Sequence, residues 1–363
     1  MISNFGIAQL GCNDPLADNY DALATQNDGS CTYAASNIPL TQVANLPADL
    51  NEISGMIFWN EKLYGHQDSG GPTNIYEFDP ATGVITKTIT LQGITNVDWE
   101  DLTQDETHFY VGDFGNNANG NRTDLKIYKF SKSLIASSSL ITIPLTEIEI
   151  INFAYEDQVD FSNTGGNNTA FDCEALAYNR GQLHLFTKNW IGNITAHYIL
   201  PTTPGTYNAK KKGEYNVGSY KITGADFGAD NLLALVGYQV TGFAICGLFL
   251  NYGFDDTYAY LQTGTMRFLS IGSALVFGQI EAITFKKSLQ LYISNERFDP
   301  PGNFFQIVPQ QFYDSSITNL IQPFYTANQQ VFGDFVLEPG MLRYNYITGK
   351  VEGYDGSHWN TFH

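Results

Sequence analysis

Three glutamates stand in matching apolar contexts: Trp99-Glu100-Asp101-Leu102, Cys173-Glu174-Ala175-Leu176 and Ile280-Glu281-Ala282-Ile283. A carboxylate at the head of a short apolar run sits at the start of a strand, and three equivalent starts meet at one place if their strands converge. Converging carboxylates repel one another unless a cation, a basic side chain or shared protons offset the charge. The chain supplies candidates for each remedy. Lys188 and Arg297 are the candidate ion partners, and Glu174 and Glu281 with Asn116 and Asn295 form a hard-oxygen set suited to Ca²⁺.

Such a site admits two kinds of chemistry. A bound ion acting as Lewis acid, with a spare carboxylate among Glu100, Glu174 and Glu281, or His66, as general base on water, would attack a lactone or phosphoester. Alternatively, carboxylates beside aromatic rings hold the hydroxyls and CH faces of an uncharged ligand, and Asp68, Asp113, Lys188, Asn189, Trp190, Glu296 and Arg297 are the candidate ligand contacts. Trp99, Tyr238 and Phe298 belong to the same expected rim. No motif singles out a reaction: G-x-S-x-G and H-E-x-x-H are absent from the sequence, and the glycines at 115 and 120 are followed by Asn121-Arg122 where a phosphate loop needs Lys and Ser or Thr.

The elements that must gather these residues repeat along the chain. Between 37 and 313 a first strand recurs at a spacing of about 45 to 55 residues, a period typical of propeller blades. Its starts are Ile53-Ser54-Gly55-Met56, Trp99 to Leu102, Cys173 to Tyr178, Thr223 to Phe227 and Ile280 to Phe285. Second strands follow at Leu63 to His66, Phe109 to Asp113, Leu183 to Thr187, Leu233 to Tyr238 and Leu289 to Ser294. Third strands read at Ile75 to Phe78, Leu125 to Tyr128, Ala196 to Ile199, Gly247 to Leu250 and Phe304 to Ile307. The fold expected is all-β, a five-bladed β-propeller, with six blades the alternative should 314–336 add strands. The fifth repeat lacks an outer strand, so Ile38 to Leu46 is expected to complete it and remove the open edge. In a propeller the start of a blade's first strand and the end of its second share a rim, which places the candidate residues around one funnel.

The termini are separate. Residues 1–9 read as the end of a signal peptide, 10–36 as a cap closed by a Cys12–Cys31 disulfide, and 314–363 as a β-rich tail whose last part, from Pro339, is a β-meander. In the cap, Asp14, Asn19, Asp21 and Asp28 are candidate calcium ligands or, equally, turn formers. Cys173 and Cys246 lie in apolar runs and read as buried free thiols.

The segment GCNDPLADNYDALATQNDGSCTY at 11–33 resembles the thrombospondin type 3-like calcium repeats of exported Bacteroidetes proteins. The tail resembles a terminal motif of phage tail fibres and flavobacterial surface proteins. HQDSGG at 66–71, DWEDL at 98–102, GDFGNN at 112–117, DCEALAY at 172–178 and TGADF at 223–227 carry a resemblance to uncharacterised Bacteroidetes-type secreted propellers. These in turn are loosely similar to SMP-30/gluconolactonase and esterase-like phytase propellers. The resemblances imply a secreted or surface-displayed protein that binds an extracellular glycan, protein or small molecule, with Ca²⁺, and whose tail serves homo-oligomer assembly. They leave a metal-assisted hydrolase and a virion component as alternatives.

Composition narrows the partners. With 37 acidic against 18 basic residues the net charge is −19, which offers no counterion-releasing surface to nucleic acid or anionic lipid. No segment reaches the ~20 apolar residues of a membrane span.

Overall fold

The computed structural model describes residues 9–228, 232–240, 244–254, 257–287, 289–299 and 307–321, and the strands of the tail at 342–345, 350–354 and 359–361. Residues 1–8 of the expected signal segment lie outside it, as do 304–306 of the expected fifth third-strand. The described residues are nearly all β, with single-turn α-helices at Tyr260–Thr263 and Ala274–Phe277 and a further helical turn at 318–321.

The cap contributes β1 (Leu10–Gly11) and β2 (Gln26–Asn27), paired in parallel and held by the Cys12–Cys31 disulfide. Next comes β3 (Thr41–Asn45), followed by antiparallel groups that match the repeat. These comprise β4 (Ile53–Trp59), β5 (Lys62–Gln67), β6 (Asn74–Phe78) and β7 (Ile85–Gln92), then β8 (Trp99–Gln104), β9 (His108–Asp113) and β10 (Lys126–Ser131). The chain continues through β11 (Leu140–Pro144) and β12 (Glu149–Tyr155) to β13 (Cys173–Asn179), β14 (Gln182–Thr187), β15 (Ile194–Pro201) and β16 (Gly205–Asn216). Then follow β17 (Tyr220–Gly228), β18 (Leu232–Gln239), β19 (Ile245–Tyr252), β20 (Thr265–Ser273), β21 (Gln279–Lys287), β22 (Gln290–Glu296) and β23 (Gln311–Ser316). The tail strands β24 (Leu342–Asn345), β25 (Lys350–Tyr354) and β26 (Trp359–Thr361) form an antiparallel meander.

As expected, the early strand closes the last group: β3 pairs antiparallel with β23, joining the first and last strands of the repeat region in one sheet. The third strand of that group is β23, however, and not Phe304 to Ile307, so the sheet runs across the boundary drawn at 313. Two connections were not foreseen. β11 leaves its own group to lie parallel to β7 of the preceding one, and β12 pairs in parallel with β16, fusing two groups into an eight-stranded sheet.

The first strands β4, β8, β13, β17 and β21 each touch the next, and β21 returns to β4. The apolar interior is divided accordingly into clusters between neighbouring groups, with Ile57, Trp99 and Phe109 in one and Tyr110, Phe114 and Leu176 in the next. Ala175, Phe186 and Leu235 fill a third, Val236, Leu248 and Ile283 a fourth, and Met56, Phe78 and Phe312 the last, which closes the cycle.

Neighbouring first strands splay apart, so their backbone groups need side chains as partners. Buried Asp101 on β8 accepts from the amides of Leu176 on β13 (2.7 Å) and Ala225 on β17 (3.4 Å). Asp226 on β17 accepts from Phe285 (2.8 Å) and Thr284 (3.1 Å) on β21, while Thr284 accepts from Phe58 on β4 (3.2 Å). Ser54 donates to the Glu100 carbonyl and Thr223 to that of Ile280 (2.7 Å). Gly55 permits this approach, because a Cβ there would meet the Leu102 amide at 2.6 Å.

The Asp101→Ala variant should therefore unfold about 2–5 kcal/mol more readily in urea, since it strands buried amides on two neighbouring strands. Asp101→Asn, which keeps an acceptor oxygen, should lose clearly less. Equal losses for the two would refute the bridging role.

Candidate functional site

Each first strand departs from regular pairing near its start, and the irregularities fall at Ser54, Glu100-Asp101, Glu174, Thr223 and Glu281. A β-bulge leaves one residue unpaired and re-aims its side chain. Repeated in register on strands that meet in a cycle, it sends Glu100, Glu174 and Glu281 into one cavity of about 180 Å³. The remaining lining includes Asp68, Lys188, Trp190, Tyr238, Gln279 and Glu296, with Asn117 and Asn167 from two facing loops. Those loops are tied together by the Asn167 amide on the Asn117 carbonyl (2.7 Å) and by Thr164 on Asn119 (2.9 Å).

Five carboxylates of this lining face one ammonium. Lys188 pairs with Glu174, lies 3.3 Å from the Tyr238 hydroxyl, and has its Nζ 5.1 Å from the centre of the Trp190 ring and 5.2 Å from that of Tyr238. Burial works against its charge, yet Glu174 overrides this and holds Lys188 well above the ordinary lysine value. The acids shift the other way. Burial raises Glu174 and Glu296 to about 8, with Lys188 offsetting part of the effect. Glu100 and Glu281 are driven well above the usual range, first by burial and then by neighbouring carboxylates, against which Lys188 pulls Glu281 back. Asp68, Asp98 and Asp172 rise to about 6, again chiefly through burial.

Two carboxylate triads stand out among the described residues: Asp68, Asp98 and Glu100, and Glu100, Asp172 and Glu174. In each, oxygens lie within 4.8 Å of one another. Two ligands on one Ca²⁺ span at most about 5 Å, so each triad fits a hard cation. Further signs of fit come from the surroundings. Glu281 is buried yet its carboxylate accepts no hydrogen bond from a described residue, and a Cβ at Gly115 would collide with the carboxylates of both Asp98 and Glu100.

Other sequence candidates lie elsewhere. His66 is fully buried with Nδ1 at 2.9 Å from the Gln67 carbonyl and its ring edge-on to Trp99; burial lowers it to about 4, and it does not line the cavity as a base would. Asp113 is turned to Arg122 (2.9 Å), and Asn189 caps the Ile191 amide while its carbonyl receives Lys221. Arg297 is 3.9 Å from Asp299 and absent from the cavity wall, so it does not counter the glutamates. The two amides expected to join Glu174 and Glu281 around an ion are occupied by the backbone. Asn116 accepts from the Arg122 amide and donates to Phe171, and Asn295 accepts from Gln311 and donates to Pro309. Trp99 is core, and Phe298 bridges to Val308.

In the cap, Asp14 is fully buried and accepts from the hydroxyls of Tyr33 and Tyr252 (2.7 Å), which docks the cap on β19. Asp21 and Asp28 accept from the amides of Leu23 and Ser30, the bonds of turn formers, and Asn19 accepts from the more distant Thr32 amide across the loop. Cys173 and Cys246 are free and buried.

Sequence reasoning missed Asp98 and Asp172 as site residues. Both stand two positions before a funnel glutamate, in Asp98-Trp99-Glu100 and Asp172-Cys173-Glu174, and that shared D-x-E spacing was the available signal.

No known family profile matches the chain, and no curated protein matches it either. Solved structures similar to it include the PQQ-bound aldose sugar dehydrogenase of Streptomyces coelicolor, at 9% identity over 77% of this chain and 98% of that one, with a TM-score of 0.42. The calcium-binding regucalcin of Agrobacterium tumefaciens is similar at 8% identity over 78% and 97%, with a TM-score of 0.39. A putative gluconolactonase is similar at 11% identity over 70% of each chain, with a TM-score of 0.36. At these identities and scores they carry nothing about function.

Acids whose folded pKa exceeds the unfolded one bind more protons in the native state, so their contribution is full below about pH 4 and is lost as pH rises through the folded values of about 6 to 8. In chelator, the melting temperature should therefore fall between about pH 5 and pH 8. Millimolar Ca²⁺ should raise it more at the upper end, where fewer protons must be displaced. A calcium effect that is flat or larger at pH 5 would contradict this.

Proposed function

We propose that this protein is a secreted five-bladed β-propeller that binds an extracellular ligand, a glycan or hydroxylated small molecule, in its acidic cavity with the help of Ca²⁺. The five groups of strands would be the blades, with β3 supplying the closing strand of the fifth. The observation that carries the reading is the composition of the cavity wall, where, among the described residues, carboxylates outnumber the single ammonium, Trp190 and Tyr238 flank that ammonium, and Asn117 and Asn167 complete the lining. Carboxylates hold the ion, the ring faces take CH surface, and the amides meet hydroxyls. The Cys12–Cys31 disulfide fits an oxidising compartment, and no helix among the described residues is long and apolar enough to cross a membrane.

A second reading is hydrolysis of a lactone or phosphoester. It is favoured by Glu296, which burial brings to about 8, in the range of a general base working near neutral pH. With His66 outside the cavity, Glu296 is the residue that would take the proton from water.

The test is calorimetry against a panel of sugars and sugar lactones, with Ca²⁺ and with chelator. Binding should need Ca²⁺, and both Trp190→Ala and Glu100→Gln should weaken it at least about tenfold, or 1.4 kcal/mol. Binding that persists in chelator with both variants would sink the reading. Turnover abolished by Glu296→Gln in a folded protein would favour the hydrolase.

A further inference from the structure

The two triads share Glu100. Building on the cation-dependent reading above, we infer that the cavity holds two divalent cations side by side, with the Glu100 carboxylate giving one oxygen to each. A carboxylate has the capacity for this, and paired ions bridged in this way lie about 3.5–4 Å apart.

The donor sets support two positions and make them unequal. In the first triad, Asp98 is only 9% exposed and its carboxylate accepts no hydrogen bond from a described residue. Glu100, 3% exposed, has only the Ser54 hydroxyl at 3.5 Å, and the bare backbone of Gly115 leaves room beside both acids. Carboxylate oxygens left without a protein partner among the described residues are free to take a cation. In the second triad, Asp172 already accepts from the Asn116 amide (2.6 Å) and the Trp190 indole (2.7 Å), though each oxygen keeps a lone pair, and Lys188 occupies one oxygen of Glu174. A cation there competes with an ammonium, and one at the first triad does not.

The experiment is Ca²⁺ titration of the chelator-stripped full chain by calorimetry near neutral pH, with circular dichroism in chelator to show that each variant is folded. Two equivalents of unequal affinity are expected. Asp98→Asn should abolish the tighter one, Asp172→Asn the weaker one, and Glu100→Gln should weaken both at least about tenfold. Lys188→Met should tighten the weaker one. Mn²⁺ at two equivalents should give an exchange-coupled spin-resonance spectrum that reverts to the six-line signal of an isolated ion in Asp172→Asn. A single equivalent sensitive to Glu100→Gln, or two uncoupled Mn²⁺ ions, would overturn the bridged pair while leaving cation dependence standing. No binding at all would remove both.

Discussion

Five first strands lie side by side with no hydrogen-bond ladder between them, and everything else in this fold follows from how that gap is bridged. A sheet satisfies its backbone laterally, but neighbouring groups here meet at an angle that breaks the ladder, leaving amides and carbonyls facing one another in a dry interior. Asp101 and Asp226 accept the stranded amides, Ser54 and Thr223 donate to the stranded carbonyls, and Thr103 and Gln104 extend the links outward. The apolar clusters between groups supply most of the cohesion, while these polar links set the register at which the groups meet. The bulges belong to the same device: each marks where a first strand leaves its own ladder and turns a residue toward the middle.

That arrangement decides the electrostatics of the cavity. The side chains turned inward include three glutamates, and the ends of neighbouring second strands and loops add Asp68 and Glu296. One lysine cannot neutralise this set. Low solvation then leaves two outcomes for each acid, to hold a proton or to share a cation, and the raised pKa values of Glu100, Glu174, Glu281 and Glu296 express the first of these. On the proposed reading a hard cation competes with these protons, which would couple ion binding to pH and to stability through one group of residues. Lys188 would tune that coupling, since its ammonium is the partner of Glu174 and would be the rival of an ion. Trp190 and Tyr238 keep it in place by their ring faces, so the one positive charge among the described residues of the cavity wall is fixed on one side.

The same economy of side chains explains why several attractive candidates do structural work. Asn116 and Asn295 sit where loops leave the second strands, and each spends its amide on nearby backbone. Asp14 secures the cap through two tyrosines, and His66 fills space behind Gly55. His184 and His197 likewise stack between Phe186 and Tyr260 in the core, and burial lowers both well out of the range in which they would titrate near neutral pH.

What the sequence determined by itself is local or periodic. Alternating apolar residues located nearly every strand, the repeated first-strand motif located the groups and the glutamates at their starts, and the missing outer strand of the last repeat pointed to the early segment that fills it. The cysteine pair of the cap was legible because its two members bracket a short polar stretch. What only the tertiary structure decided is direction and partnership between distant residues. Which partners Asp113 and Asp172 take depends on sheet twist and on an arginine or an indole brought by another segment, and the exchange of β11 and β12 with neighbouring groups leaves no periodic trace. The reason is physical: strand formation follows from side chains a few residues apart, whereas the aim of a side chain at a strand end is set by groups that meet it only once the ring of strands has closed.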